Sequence, residues 1–78
     1  MPRGLLNWTF DEVVQFLKDN NFSLNYVNSS HYYYIGFVDK KMRQVCVPFH
    51  GSKSLKPRTM KGIILQSGIS KVDWVAKQ

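Results

Sequence analysis

The sequence has one cysteine, few acidic residues and no long apolar run, and each scarcity excludes a class of protein. Cys46 is the only cysteine among the 78 residues, so a disulfide framework is excluded. No apolar stretch approaches the roughly 18 residues that a membrane helix needs. No signal-peptide pattern is visible at the N-terminus. The sequence therefore predicts a cytoplasmic location.

The length predicts one domain with a thin core. A chain of 78 residues buries only about 60–65% of the surface that it exposes when unfolded. That leaves no space for a deep substrate cavity, so any active site is expected to be a shallow surface groove. We therefore predict a single domain over residues 1–78.

Acidic residues are scarce, and the basic residues that outnumber them are unevenly distributed. The formal net charge is +6. Residues 1–38 hold two basic and three acidic residues, a net charge of −1, whereas residues 39–78 hold nine and two, a net charge of +7. This asymmetry favours a basic surface with a polyanionic partner. The alternative is a basic domain whose charges serve solubility alone.

The periodicity of apolar residues predicts an α+β fold. A capping box of Thr9 and Glu12 begins a helix that ends at Asn20-Asn21. Three strands follow at residues 22–27, 31–38 and 42–47, and the first alternates as a half-buried strand does. Pro57 begins a second helix that Gly68 ends, and a short helix follows Ser70. We predict the order α-β-β-β-α, with a three-stranded antiparallel sheet and both helices on one face.

Four basic residues surround the start of the second helix: Lys53, Lys56, Arg58 and Lys61. Cations there oppose the helix dipole, by about 0.3–1 kcal/mol for each well-placed charge. A bound anion reverses that effect, because the free backbone N–H groups, the dipole and the basic side chains then converge on it. The segment therefore predicts phosphate binding. The alternative is a set of solvated lysines on a mobile loop.

His31 is the candidate catalytic residue, at the start of a strongly β-prone run. Histidine exchanges protons near neutral pH. RNA carries its own nucleophile, the ribose 2′-OH, so its cleavage needs only a base, an acid and cations that steady the phosphorane. The alternative is a structural histidine. Both faces of the strand are apolar enough to be core, so the pattern leaves open which side His31 faces.

Other chemistry-bearing patterns are weak. Two histidines and one cysteine without a carboxylate cluster give no recognisable ligand set, so we expect no metal and no cofactor. Cys46 lies in the middle of a predicted strand and is expected to pack there. At least one of Tyr32, Tyr33 and Tyr34 is available to stack on a base, although sheet packing accounts for most of their bulk.

Several linked segments then connect the chain to a known family. They are VVQFLK, NF, SH, VPFH, LKPRTM and ILQSGIS, at residues 13–18, 21–22, 30–31, 47–50, 55–60 and 64–70. In this order they resemble the HicA family of bacterial mRNA-interferase toxins, which are partners of HicB antitoxins. The resemblance runs from Val13 to about Trp74. It implies a double-stranded-RNA-binding-domain-like fold, in agreement with the predicted order of elements.

The resemblance also implies an activity and partners. The activity is that of a metal-independent ribonuclease, which cleaves mRNA with a catalytic histidine at His31. The chain would be the toxin of a type II toxin–antitoxin system, and its protein partner would be a HicB-type antitoxin. We expect Ser30 to orient His31 or the scissile phosphate. His50 matches the family histidine after the third strand, and phosphate contact, acid–base help and loop anchoring all remain open for it. Non-catalytic RNA binding by the same fold is the runner-up function, and a protein-interaction domain is the third.

One position departs from the family pattern. The family usually has Gly-Ser-His where this chain has Ser29-Ser30-His31. If that glycine has a positive φ, Ser29 either adopts a strained conformation or shifts the turn. A shifted turn would displace His31 and weaken or retune its activity.

Overall fold

A computed structural model describes residues 7–49, 51 and 53–76. The elements are α1 (Phe10–Asp19), β1 (Ser23–Asn28), β2 (His31–Val38), β3 (Lys41–Pro48), α2 (Pro57–Ser67) and α3 (Lys71–Ala76). The strands form an antiparallel sheet in the order β1-β2-β3. The predicted α+β fold and its α-β-β-β-α order are confirmed, with α3 as the short last helix.

Local sequence determines both ends of α1. The backbone N–H of Glu12 donates to Thr9 Oγ1 at 3.4 Å, and the backbone N–H of Thr9 donates to Glu12 Oε1 at 2.9 Å. At the other end Asn21 has a φ of 68°, and the N–H of Phe22 donates to the carbonyl of Leu17 at 2.9 Å. This left-handed cap satisfies backbone groups that a helix end leaves without partners. It also turns the chain into β1.

Helix α2 and the short α3 also begin where the sequence predicts. Lys56 is the extended N-cap residue, and Pro57 is the first helical residue. Gly68 ends α2 with a φ of 72°. The side chain of Ser70 accepts a hydrogen bond of 3.3 Å from the backbone N–H of Asp73 in α3. Among the described helices, none has the length and apolar character needed to cross a membrane.

The core lies between the helices and one face of the sheet. Its buried side chains come from the three helices, from the helix-facing side of β2 and β3, and from the connecting segments. Val45 and Val47 of β3 are fully buried. Both long helices therefore cover the same face. The opposite face, here called the open face, carries the β2 residues His31, Tyr33, Ile35 and Phe37.

Strand β1 differs from its prediction. The alternation of Phe22, Leu24 and Tyr26 predicted a half-buried strand, but all six residues of β1 are exposed. The helices contact the sheet mainly through β3. Because β2 lies between β3 and β1, the helices leave β1 uncovered. A bulge also interrupts the alternation, because Leu24 pairs with Tyr34 whereas Tyr26 pairs with Tyr33.

Candidate nucleic-acid interface

His31 is an exposed residue of the open face, at the first position of β2. Its cross-strand neighbours are Asn28 in β1 and Pro48 in β3. The sequence left open which way this side chain faces, and the structure places it on the side away from the core. An imidazole in that position is accessible to a polymeric substrate.

The turn before His31 has the strain expected of a serine at a glycine position. Ser29 has a φ of 60°. A left-handed conformation costs a residue other than glycine about 1–2 kcal/mol. The hairpin pairing is nevertheless complete, because Asn28 lies opposite His31. Ser29 therefore adopts the strained conformation, and His31 is paired as the first residue of β2.

The segment after β3 begins directly beside this turn. The backbone N–H of Phe49 donates to the carbonyl oxygen of Ser30 at 2.8 Å. The Phe49 ring packs edge-on against Phe10, with 5.0 Å between ring centroids. The Phe10 ring in turn packs against the ring of Tyr32 in β2, with 4.9 Å between ring centroids. These contacts hold the start of the segment and the first turn of α1 at the end of the sheet that carries His31.

The same segment is also anchored where it approaches α2. The backbone N–H of Leu55 donates to the carbonyl of Trp8 at 2.7 Å, and Ser54 forms an isolated antiparallel bridge with Thr9. Leu55 itself is buried. Because Trp8 and Thr9 immediately precede α1, the start of α2 is tied to the same end of the molecule as His31.

The predicted phosphate-binding residues surround this anchored helix start. All four are exposed: Lys53, Lys56, Arg58 and Lys61. The first turn of α2 contains no acidic residue, and its N-cap Lys56 makes no capping hydrogen bond with its side chain. Exposed cations at an uncapped helix N-terminus form a surface that favours an anion. The structure therefore brings the basic segment and His31 to one end of the fold.

The candidate site is an open surface rather than a cavity. A pocket of about 410 Å³ lies at the opposite end of the sheet, where Phe37, Asp39 and Asp73 contribute to its lining. Its two carboxylates would repel a phosphate. Within the described part of the chain, no group of three or more His, Cys, Asp or Glu side chains is placed to hold a metal ion.

Of the two predicted residues Ser30 and His50, the structure describes Ser30. Ser30 is exposed, and no hydrogen bond between its hydroxyl and the imidazole of His31 occurs among the described residues. His50 lies outside the described residues, as do residues 1–6. The roles of Ser30 and His50 remain predictions.

The structure also shows an aromatic pair that sequence reasoning missed. Tyr26 and Tyr33 stack on the open face with 4.4 Å between ring centroids and 9° between ring planes. Alternation along β1 had placed Tyr26 with Leu24 on one face, and a bulge leaves no mark on that pattern. Side-chain hydrogen bonding with Cys46 raises the pKa of Tyr33 above its ordinary value.

Comparison with known proteins identifies the family. Residues 10–69 match a family model described as the HicA toxin of bacterial toxin–antitoxin systems. This range runs from the first residue of α1 to just beyond α2. No curated protein and no solved structure matched the chain. Because the match covers well over half of the sequence, the chain belongs to the HicA family of bacterial toxins, as its motifs predicted.

Proposed function

We propose that this HicA-family toxin is a metal-independent endoribonuclease that binds and cleaves mRNA in the cytoplasm and that a HicB-type antitoxin inhibits. Family membership makes the chain a toxin with an antitoxin partner. One observation carries the finer proposal, namely the exposed His31 at the same end of the fold as the basic start of α2. A proton-transfer group and a phosphate-binding surface are the two parts that RNA cleavage requires.

The proposed reaction uses the ribose of the substrate as the nucleophile. The 2′-oxygen attacks the adjacent phosphorus, the bond from phosphorus to the 5′-oxygen breaks, and a 2′,3′-cyclic phosphate forms. His31 either removes the proton of the 2′-OH or protonates the leaving 5′-oxygen, while a second group or water carries the other proton. The cations at the start of α2 stabilise the negative charge that develops on the phosphorane.

Phosphate contacts explain how this protein would hold RNA without a cavity. Exposed Lys and Arg side chains neutralise backbone phosphates and release counterions, so binding weakens as salt rises. Such contacts position the RNA but do not read its sequence. We therefore expect only a modest sequence preference.

A non-catalytic RNA-binding module is the second candidate function. One observation favours it: no hydrogen bond within the described residues holds the imidazole of His31. Catalytic bases are commonly oriented by a partner, although such contacts often tighten only when substrate binds. Both candidates share the basic segment, so binding alone does not separate them.

Comparison of an RNA with a DNA of the same sequence, both in EDTA, tests the proposal. We expect cleavage of the RNA and recovery of 2′,3′-cyclic phosphate ends, because the DNA lacks the attacking hydroxyl. Cleavage of the DNA would contradict the proposed chemistry. Intact RNA together with salt-sensitive binding would favour the non-catalytic module instead.

A further inference from the structure

We propose that Tyr26 and Tyr33 form a base-binding subsite, on which an unpaired nucleobase close to the scissile phosphate stacks. This inference rests on the proposed function, because it assigns part of the RNA to a particular surface of the toxin. It adds a specific contact to a site that otherwise consists of His31 and cations.

The geometry of the pair suits a third planar group. The two rings are nearly parallel and lie on a sheet face that no described helix covers. Tyr26 keeps 47% of its surface exposed. Aromatic side chains on an exposed sheet are the usual platform for unpaired bases, since every base has a π-face that continues such a stack.

The bulge in β1 is the reason that the pair exists. If the register of Leu24 opposite Tyr34 continued, Tyr26 would lie opposite Tyr32 on the helix-facing side. The extra residue in β1 instead pairs Tyr26 with Tyr33 and moves its ring to the open face. Bulges that redirect a side chain in this way are common beside active sites.

The pair lies within reach of the reacting phosphate. Tyr33 is two residues from His31 on the same face of β2, which corresponds to about 7 Å along the strand. Stacked nucleotides advance about 3.4 Å each along a strand, so a base one or two nucleotides from the scissile bond reaches the rings. The platform and His31 are therefore spaced for a single RNA segment.

The surroundings of the pair also favour RNA. No Asp, Glu, Lys or Arg occurs between Asp19 and Asp39, so no carboxylate of β1 or β2 repels the backbone. The cross-strand partner of Tyr33 in β3 is Cys46 rather than an Asp or Glu. Cations lie at the His31 end of the fold. Duplex RNA hides its base faces within the stack, so the predicted ligand is single-stranded.

The test uses short single-stranded RNA and toxin that carries His31→Ala, so that bound RNA stays intact. In this background we expect Tyr26→Leu to raise the Kd for RNA by about 5- to 150-fold, the range for loss of one stacked base. Tyr26→Phe retains the ring and should bind as the parent does. Phe37→Leu is the matched control, because Phe37 lies at the far end of the open face and is 69% exposed.

A second measurement removes the base instead of the ring. RNAs with one abasic nucleotide at successive positions should bind the parent more weakly at one position, and this loss should vanish in Tyr26→Leu. The series in the parent needs no variant of the tyrosine pair, so equal binding at every abasic position overturns the subsite even if Tyr26→Leu fails to fold.

The outcomes separate the subsite from the ribonuclease. Equal RNA affinity in Tyr26→Leu and the parent, with cleavage by the wild type intact, overturns the subsite alone. Unchanged RNA binding with weakened antitoxin binding also overturns it and makes the open face a protein-docking surface. If the wild type neither binds nor cleaves RNA, the proposed function and the subsite are overturned together.

Discussion

At the scale of single residues, Ser29 has a backbone conformation that lowers the stability of the fold. Its φ of 60° belongs to the region that favours glycine. We expect Ser29→Gly to raise the free energy of unfolding by about 0.5–1 kcal/mol, because relief of about 1–2 kcal/mol exceeds the added unfolded-state entropy. Equilibrium urea unfolding measures the change. Ser30→Gly is the control, since Ser30 has no positive φ, and a gain of equal size there would contradict the assignment of strain to Ser29.

Ser67 is a buried polar residue that connects α2 with the segment that follows it. Its hydroxyl donates to the carbonyl of Ile64 at 2.8 Å and accepts from the backbone N–H of Ile69 and from Trp74 Nε1 at 3.1 and 3.3 Å. We expect Ser67→Ala to lower the free energy of unfolding by about 1–3 kcal/mol, because two buried donors lose their acceptor. Ser23→Ala in exposed β1 should change it by less than about 0.5 kcal/mol. Similar values for the two variants in thermal or urea unfolding would contradict this role.

Single residues also show where prediction from sequence reaches its limit. The motif left a strained conformation and a shifted turn as alternatives for Ser29, whereas the choice of His31 as a candidate residue was accessible without a structure. The direction of His31 was not, because Tyr32 and Tyr33 give both faces of β2 the same apolar character. Only the packing of helices on one side decides which face is buried.

At the scale of elements, the helix ends were predictable and the burial of β1 was not. Helix ends depend on local groups such as the Thr9 capping box and Gly68, so short sequence segments contain the information. Burial of β1 depends instead on where the helices pack across the sheet. The alternation of Leu24 and Tyr26 suggested a covered face, but packing on β3 left the strand at an exposed edge.

The basic residues at the start of α2 lower the stability of the helix, although the proposed function needs them. Lys56 and Arg58 lie at the N-cap and in the first turn, where cations are unfavourable. We expect Lys56→Glu combined with Arg58→Glu to weaken RNA binding, and to reduce the slope of log K against log salt by about 2 if both residues contact phosphate. The same variant should gain about 0.6–2 kcal/mol of stability for each reversed charge, because an unfavourable cation is removed and a favourable anion is added.

A charge reversal elsewhere is the control for that prediction. Lys71→Glu changes an exposed residue at the start of α3, outside the basic segment. RNA affinity is measured for both variants over a range of salt concentrations. The loss of affinity for each reversed charge should be far larger in the α2 double variant than in Lys71→Glu. An equal loss for each reversed charge would show that net charge, rather than the start of α2, attracts RNA.

At the scale of the whole molecule, the two faces of one sheet carry different groups. One face carries the core and both long helices, and the other carries His31 and the tyrosine pair. Composition and motifs predicted the α+β fold, the family and the basic second half. They did not predict the stacked tyrosine pair on the open face. That pair depends on a bulge in β1 and on the register between β1 and β2.

The rate of RNA cleavage by His31→Ala tests the central claim most directly. Under single-turnover conditions with EDTA, we expect the variant to cleave at least about 100-fold more slowly than the wild type, the lower limit for loss of a positioned acid or base. Its RNA affinity and thermal stability should match those of the wild type, because His31 is exposed and lies outside the basic segment. Phe37→Leu on the same face should cleave normally. Cleavage by His31→Ala at the wild-type rate would contradict the account, because the chemistry would then belong to another group.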